Sequence, residues 1–172
     1  EKGIVRTSGN LGWENKPLAE DLFAKLGIPV TLANDANAAA YGEYACGAGK
    51  EYRSVVLLTL GTGVGSGIVL NGKLFEGNEG AGVELGHEVI RFGGEKCVCG
   101  RRGCFEAYAS ATALIRQTKR AMKKDKQSML WQLFGGDIES VNGKTAFRRA
   151  QKREKTAKRV LSNYLRYLAE GF

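Results

Sequence analysis

A mixed α/β fold is the expectation from this sequence, and three of its features lead there. "SVVLLTLGTGVGSGIVLNGKLFEG" sets short apolar, β-branched runs between glycines, the chemistry of strands and tight turns. "ANAAAYGEYACGAG" is alanine-rich and closed by glycines, the chemistry of a helix with a stop. In the last third, apolar and aromatic residues recur at helical spacing among lysines and arginines. The first half should bear a mixed sheet and the last third only helices. With 172 residues, 43% of them hydrophobic, the chain can fill one compact domain or two small lobes, which excludes global disorder.

The elements follow in order. An irregular, glycine-rich segment surrounds Trp13. A helix then runs from about Pro17 to Leu26, with proline where its missing N–H is harmless and Gly27 as the stop. "PVTLAND" reads as a short apolar strand ending on Asn34 and Asp35, and the alanine-rich helix follows. Next come three strands, the last two joined by an Asn71-Gly72 hairpin turn. "FEAYASATALIRQTKRAMKK" reads as one long helix, and "TAFRRAQKREKTAKRVLSNYLRYLAEG" as one or two more. The stretch between them, "DKQSMLWQLFGGDIESVNGK", has no clear pattern, and no internal repeat or low-complexity segment is present.

The net charge of +8 is uneven: residues 1–112 carry 11 Lys and Arg against 13 Asp and Glu, whereas residues 113–172 carry 15 against 5. A basic tail can be a nucleic-acid surface. Helical spacing of the apolar residues there favours amphipathic helices with solvated basic faces. No apolar run approaches the roughly 20 residues of a membrane helix, and no signal-peptide pattern opens the chain. The expectation is a soluble, cytoplasmic protein with no membrane and no nucleic-acid partner. Thiols stay reduced there, and clustered cysteines more often bind metal than pair.

Three of the four cysteines, Cys97, Cys99 and Cys104, fall within eight residues, ten after His87, the only histidine. One imidazole and three thiolates are a common structural zinc set, closed to water. Gly100 and Gly103 let the loop wrap tightly enough to aim three sulfurs at one point. A zinc ion there would draw together Glu84, three residues before His87, and Glu106, two after Cys104. The imidazole nitrogen turned away from the metal carries an N–H that can donate outward. Carboxylates and an imidazole around one pocket suit a polyhydroxylated ligand.

"LGTGVGSG" places glycine at 61, 63, 65 and 67. It is neither a Walker loop nor a dinucleotide fingerprint, because an apolar strand follows it. It is a plain glycine-rich hairpin or one whose bare N–H groups, with the Thr62 hydroxyl, face phosphate oxygens. Asp35, between strand and helix, can cap the helix. It can also act as the general base of phosphoryl transfer, a reaction that asks a protein mainly for positioning and charge. The helix N-terminus favours negative charge there, so the two roles are compatible.

In this order, "LANDANAAAYGE", "LTLGTGVGSGIVLNGKLFEGNEGAGVELGH" and "CVCGRRGCFEAYASATAL" resemble the ROK family of sugar kinases and repressors, and within it the glucokinase branch. The similarity is dense from about Gly9 to Leu114 and looser beyond. The resemblance implies an actin-like, ribonuclease H-type fold with a zinc-clamped loop and C-terminal helices. It implies a sugar-binding α/β portion over 1–112, with phosphate hairpin and zinc loop, and a helical portion of the same kinase over 113–172. It places sugar contacts at Asn34, Asp35, Glu84, His87 and Glu106, with Asp35 as catalytic base. Nucleotide phosphates fall at Gly61, Thr62, Gly63, Gly65 and Gly67, and structural zinc at His87, Cys97, Cys99 and Cys104. The partners implied are glucose or a related hexose and ATP with magnesium, in a homodimer or higher homo-oligomer.

The family's Asp-x-Gly-Gly-Thr hairpin and its Gly-Gly-rich adenosine segment have no match here, so these 172 residues alone are expected to turn over little sugar. "AQKREKTAK" also stands where the family usually carries a Gly-Asp pair. Three functions compete: a hexose kinase making glucose 6-phosphate from glucose, or one acting on an N-acetylated amino sugar; a sugar-sensing repressor; and a zinc-stabilised interaction module. A sensor needs no base, so Asp35 favours the kinase. The Asn34-Asp35 and glycine-loop matches disfavour the module.

Overall fold

The computed structural model of the chain describes residues 3–8, 11–77 and 83–172. Along them run β1 (Val5–Ser8), β2 (Trp13–Lys16), α1 (Leu18–Leu26), α2 (Asp35–Cys46), β3 (Val55–Leu60), β4 (Val64–Leu70), β5 (Lys73–Leu74), α3 (Glu106–Ala109), α4 (Ala111–Lys124), α5 (Thr145–Gln151) and α6 (Lys155–Glu170). Short 3₁₀ turns occupy Leu85–His87, Trp131–Phe134 and Ile138–Ser140. The chain divides into two compact units, residues 1–55 with 67–82 and residues 56–66 with 83–172.

In the first unit, β1 and β2 pair antiparallel, Val5 opposite Lys16 and Ser8 opposite Trp13. The segment around Trp13, expected to be irregular, is thus a strand pair; "VRTS" and "WENK" are too short and too polar to show a strand pattern. α1 follows Pro17 and ends on left-handed Gly27, φ 68°, whose N–H donates to the Phe23 carbonyl. The strand expected over "PVTLAND" does not form: residues 29–34 join no ladder among the described residues. An apolar run becomes a strand only where a neighbouring edge takes up its N–H and C=O groups. α2 starts with Asn34 as its cap, the side chain accepting the Asn37 N–H at 3.0 Å. Its buried Ala36 and Ala40 lie against β4 at Gly67, where a Cβ would come within 2.5 Å of the Ala40 Cβ. Asn71 (φ 48°) and Gly72 (φ 81°) make the expected turn, setting Leu70 opposite Lys73.

The second unit packs around Phe105, which is fully buried against Val64 and Ala109 and flanked by Leu58, Ile90 and Leu168. Burying such a ring contributes roughly 1.5–3 kcal/mol. α4 buries Ala113, Leu114, Thr118 and Met122, and α6 buries Thr156, Ala157, Val160 and Tyr164, so most of their charged residues stay on the outer faces. The one long helix expected before residue 125 is in fact two. Ser110 (φ −74°, ψ 162°) interrupts it and caps α4 by accepting the Ala113 N–H at 3.0 Å, the local competition that serine offers a helix. Tyr164 of α6 donates to the Ala109 carbonyl at this break, 2.8 Å away. The unpatterned stretch after α4 folds into 3₁₀ turns, and the Trp131 indole N–H is shared between the Met122 and Asp125 carbonyls at 3.0 and 3.1 Å.

α5 and α6 are joined by Arg153, which is left-handed (φ 62°), and by Glu154, which caps α6. The Glu154 carboxylate accepts the Ala157 N–H and, on its other oxygen, the Ser128 hydroxyl at 2.9 Å. A Gly-Asp pair suits such a join, glycine for the backbone and aspartate for the cap; Arg153 and Glu154 fill both places here. Left-handed backbone costs a side-chain-bearing residue about 1–2 kcal/mol, less what glycine loses in chain entropy. Arg153→Gly should therefore stabilise the protein by about 0.5–1 kcal/mol. Denaturant unfolding checks this, and a loss of stability would show that the arginine side chain matters more than its backbone.

Candidate functional site

In the second unit the His87 segment returns against the cysteine loop. Val89 bridges to Cys104 and Lys96 to Arg102. The Phe105 N–H donates to the Glu88 carbonyl at 2.7 Å, and the Cys97 N–H to the Arg101 carbonyl at 2.9 Å. Gly100 (φ 87°) and Gly103 (φ 85°) supply left-handed backbone, and a Cβ on Gly103 would overlap the Arg91 carbonyl. The result brings one nitrogen of His87 and the sulfurs of Cys97, Cys99 and Cys104 within 4.8 Å of one another. Cys97 Sγ is 3.6 Å from His87 Nδ1, and Cys99 Sγ is 3.7 Å from Cys104 Sγ. Ligands about 2.3 Å (sulfur) and about 2.0–2.1 Å (nitrogen) from a tetrahedral zinc define edges of about 3.8 Å between sulfurs and about 3.6 Å from sulfur to nitrogen. The four groups therefore fit a closed zinc site. The cysteines are free, and 3.7 Å is far beyond the roughly 2.05 Å of a disulfide.

The cluster is electrostatically incomplete on its own. Burial pushes the Cys97 and Cys104 thiols up from their ordinary values, whereas hydrogen bonds from Arg101, its backbone foremost, hold Cys99 down at about 6. Near neutral pH that amounts to one thiolate beside two buried thiols. A divalent cation is what lets all three sulfurs ionise together. Arg101 was not singled out in the sequence, although a basic residue inside "CVCGRRGC" is a visible signal; its guanidinium also donates to the His87 carbonyl at 2.8 Å. With Nδ1 facing the sulfurs, Nε2 is the imidazole nitrogen left to donate elsewhere.

Glu106, the first residue of α3, joins this cluster to the glycine turn. Its Oε2 accepts the Val64 N–H at 3.0 Å, and its Oε1 lies 3.6 Å from Cys97 Sγ. A Cβ on Gly63 would overlap that carboxylate. Ser66, also unforeseen, donates to the Val83 carbonyl at 3.1 Å and accepts the Leu85 N–H at 3.0 Å, fixing the chain just before His87. Gly61, Gly63, Gly65 and Gly67 all have negative φ, so none supplies left-handed backbone; Gly63 and Gly67 give clearance, whereas a Cβ on Gly61 would meet open space. Gly61 and Thr62 are exposed at the turn. Val64 has its N–H committed to Glu106, and Gly67 faces α2 within the first unit.

The second unit thus assembles His87, Cys97, Cys99, Cys104, Glu106 and Gly63, with Glu84 exposed next to them and its carbonyl accepting the His87 N–H at 2.9 Å. Asn34 and Asp35 belong to the first unit, exposed at the start of α2. The cap is Asn34. Asp35, read from the sequence as a possible cap, instead accepts the adjacent Ala36 N–H through Oδ1 at 2.8 Å.

Residues 1–172 match the ROK family throughout, and the chain belongs to that family. A glucokinase of Thermotoga maritima is 42% identical over 172 residues, which cover 99% of this chain and 54% of that protein. The crystal structure of a ROK family glucokinase from Streptomyces griseus in complex with glucose and AMPPNP is similar at a TM-score of 0.88 and 35% identity, over 98% of this chain and 55% of that one. A ROK family transcriptional regulator, a homologue of the E. coli MLC protein, is similar at a TM-score of 0.83 and 31% identity, over 96% of this chain and 41% of that one. The chain spans about half the length of the curated relatives it matches. Its mixed α/β fold is of the actin-like ATPase type.

The fit of the four ligands predicts about one zinc per chain in elemental analysis of reduced, freshly purified protein. Cys99→Ser should lower both that stoichiometry and the melting temperature, since metal binding and folding are coupled. Metal-free protein that melts like the native form would refute the assignment.

Proposed function

We propose that the protein is an ATP-dependent hexose kinase that phosphorylates glucose on its 6-hydroxyl. The observation that carries this reading is the exposed Asp35 carboxylate at the start of α2, one oxygen on the Ala36 N–H and the other without a hydrogen bond among the described residues. Similarity to a glucokinase solved with glucose and a nucleotide analogue supports it. In this reading Asn34, Asp35, Glu84, His87 and Glu106 hold the sugar hydroxyls. Asp35 takes the proton from the 6-hydroxyl as that oxygen bonds to the γ-phosphorus of ATP and the bond to ADP breaks. Glu106, with Oε2 held by the Val64 N–H, offers Oε1 to a hydroxyl, and His87 offers its Nε2–H. Thr62 and the exposed part of the glycine turn face the phosphates. Magnesium arriving with ATP offsets charge on the phosphate oxygens. Zinc held by His87, Cys97, Cys99 and Cys104 would fix the loop that carries His87 and would take no part in the chemistry.

A second reading, a sugar-responsive transcriptional regulator, is supported by the regulator likeness. It gives Asp35 no base to be. A kinase acting on an N-acetylated amino sugar would use the same proton transfer, with a different pocket wall.

In the full-length protein, Asp35→Asn should lower kcat by about 10²–10⁴-fold while glucose affinity changes far less. Asparagine keeps the shape and the hydrogen bonds, and the Asn34 cap is untouched. Steady-state kinetics with glucose titration on the same preparations checks this. Unchanged kcat would move the base elsewhere. Sugar binding by the unmutated protein without any phosphorylation would favour the regulator.

A further inference from the structure

Arg116, Arg120 and Lys124 stand four residues apart on one face of α4. Like charges at that spacing repel and weaken a helix, so a merely solvated surface gains nothing from stacking them. Arg91, from the loop before Cys97, and Arg159, from α6, join them around a single cavity of about 730 Å³. That volume is within the roughly 300–1,000 Å³ of small-molecule sites.

Two carboxylates, Glu95 and Asp125, also line the cavity and leave most of its positive charge uncompensated. Glu95 is shared: Arg120 holds it through both terminal nitrogens at 2.5 and 3.1 Å, and Arg116 Nε lies 3.9 Å away. Asp125 is occupied by its own fold, accepting the Thr156 hydroxyl at 2.6 Å and the Gln127 N–H at 3.2 Å. Lys124 and Arg159 have no ion-pair partner among the described residues. Arg91 donates to the Tyr167 hydroxyl at 3.0 Å, and the Tyr167 ring lies tilted by 36° against Tyr108 with centroids 4.4 Å apart. Tyrosine rings therefore form one wall, and cations from three separate elements face a concave space. A nucleic-acid surface would present such charges outward along a ridge or stripe.

We propose that this cavity binds a small polyanion bearing phosphate groups, through residues other than those assigned to sugar, nucleotide or zinc. Arginine forks and a lysine point charge are the side chains suited to phosphate oxygens. The site goes beyond the kinase reading and stands or falls without it.

The test is isothermal titration of the full-length, zinc-loaded protein with inorganic pyrophosphate, with AMPPNP in excess to occupy the nucleotide phosphate site. Binding should weaken as salt is raised. The double variant Lys124→Gln, Arg159→Gln should lose affinity by about tenfold or more, since two charge-assisted contacts go. Both side chains are exposed, so the variant should melt like the parent. Arg148→Gln, an exposed cation on α5 outside the cavity, should leave binding unchanged. The proposal fails if pyrophosphate does not bind up to about 10 mM, far weaker than specific sites. It also fails if the double variant binds as the parent does, or if Arg148→Gln weakens binding equally. Oligonucleotide binding without pyrophosphate binding would replace it with a nucleic-acid surface.

Discussion

Cys104, Phe105 and Glu106 are consecutive in the chain, and each is committed to a different neighbour. The Cys104 sulfur belongs to the four-ligand cluster, the Phe105 ring to the buried core of the second unit, and the Glu106 carboxylate to the Val64 N–H of the glycine turn. No one of the three can shift register without dislodging the other two. The backbone adds to this: Phe105 donates to Glu88, and Ala111 donates to the Gly61 carbonyl at 2.9 Å. Metal centre, core and glycine turn thereby share one short stretch, and α4 and α6 pack onto what it fixes.

This explains why a closed metal site can matter to chemistry it does not perform. Three thiolates and an imidazole would fill all four positions of a zinc ion and leave none for water, so an ion held there would contribute geometry alone. Within the second unit such an ion would set where His87 Nε2–H points and restrain the loop beside Glu106 Oε1. Family membership does not decide what is done with that geometry: the chain is similar to a glucokinase and also to a transcriptional regulator. In the proposed kinase reading the Asp35 carboxylate is the feature that the chemistry needs and a sensor does not.

What could be read from sequence was local in its physics. The Asn71-Gly72 turn and the proline and glycine limits of α1 are each specified by residues a few positions apart, and they appear as a left-handed pair and a helix ended by Gly27; His87 and the three cysteines lie within one short stretch, 87–104, and converge. What escaped was non-local or competitive. "PVTLAND" has strand composition but no partner edge among the described residues, while the polar β1 and β2 have each other. Ser110 lies inside a helical pattern and ends a helix only because its hydroxyl caps the next. The Glu106–Val64 bond spans 42 residues and the Glu154–Ser128 bond 26, and nothing in either pair's neighbourhood announces the other. The cap expected of Asp35 falls instead to Asn34, the residue just outside the first turn of α2.

The most direct test of the account follows the Val64 amide by hydrogen exchange in zinc-loaded protein and after chelation. If the metal centre holds Glu106 against the glycine turn, Val64 is protected with zinc and exchanges much faster without it. The Asn37 amide, bonded to Asn34 in the other unit, should keep its protection in both states. Equal Val64 protection with and without metal would contradict the account, because Glu106 would then be held by the fold alone.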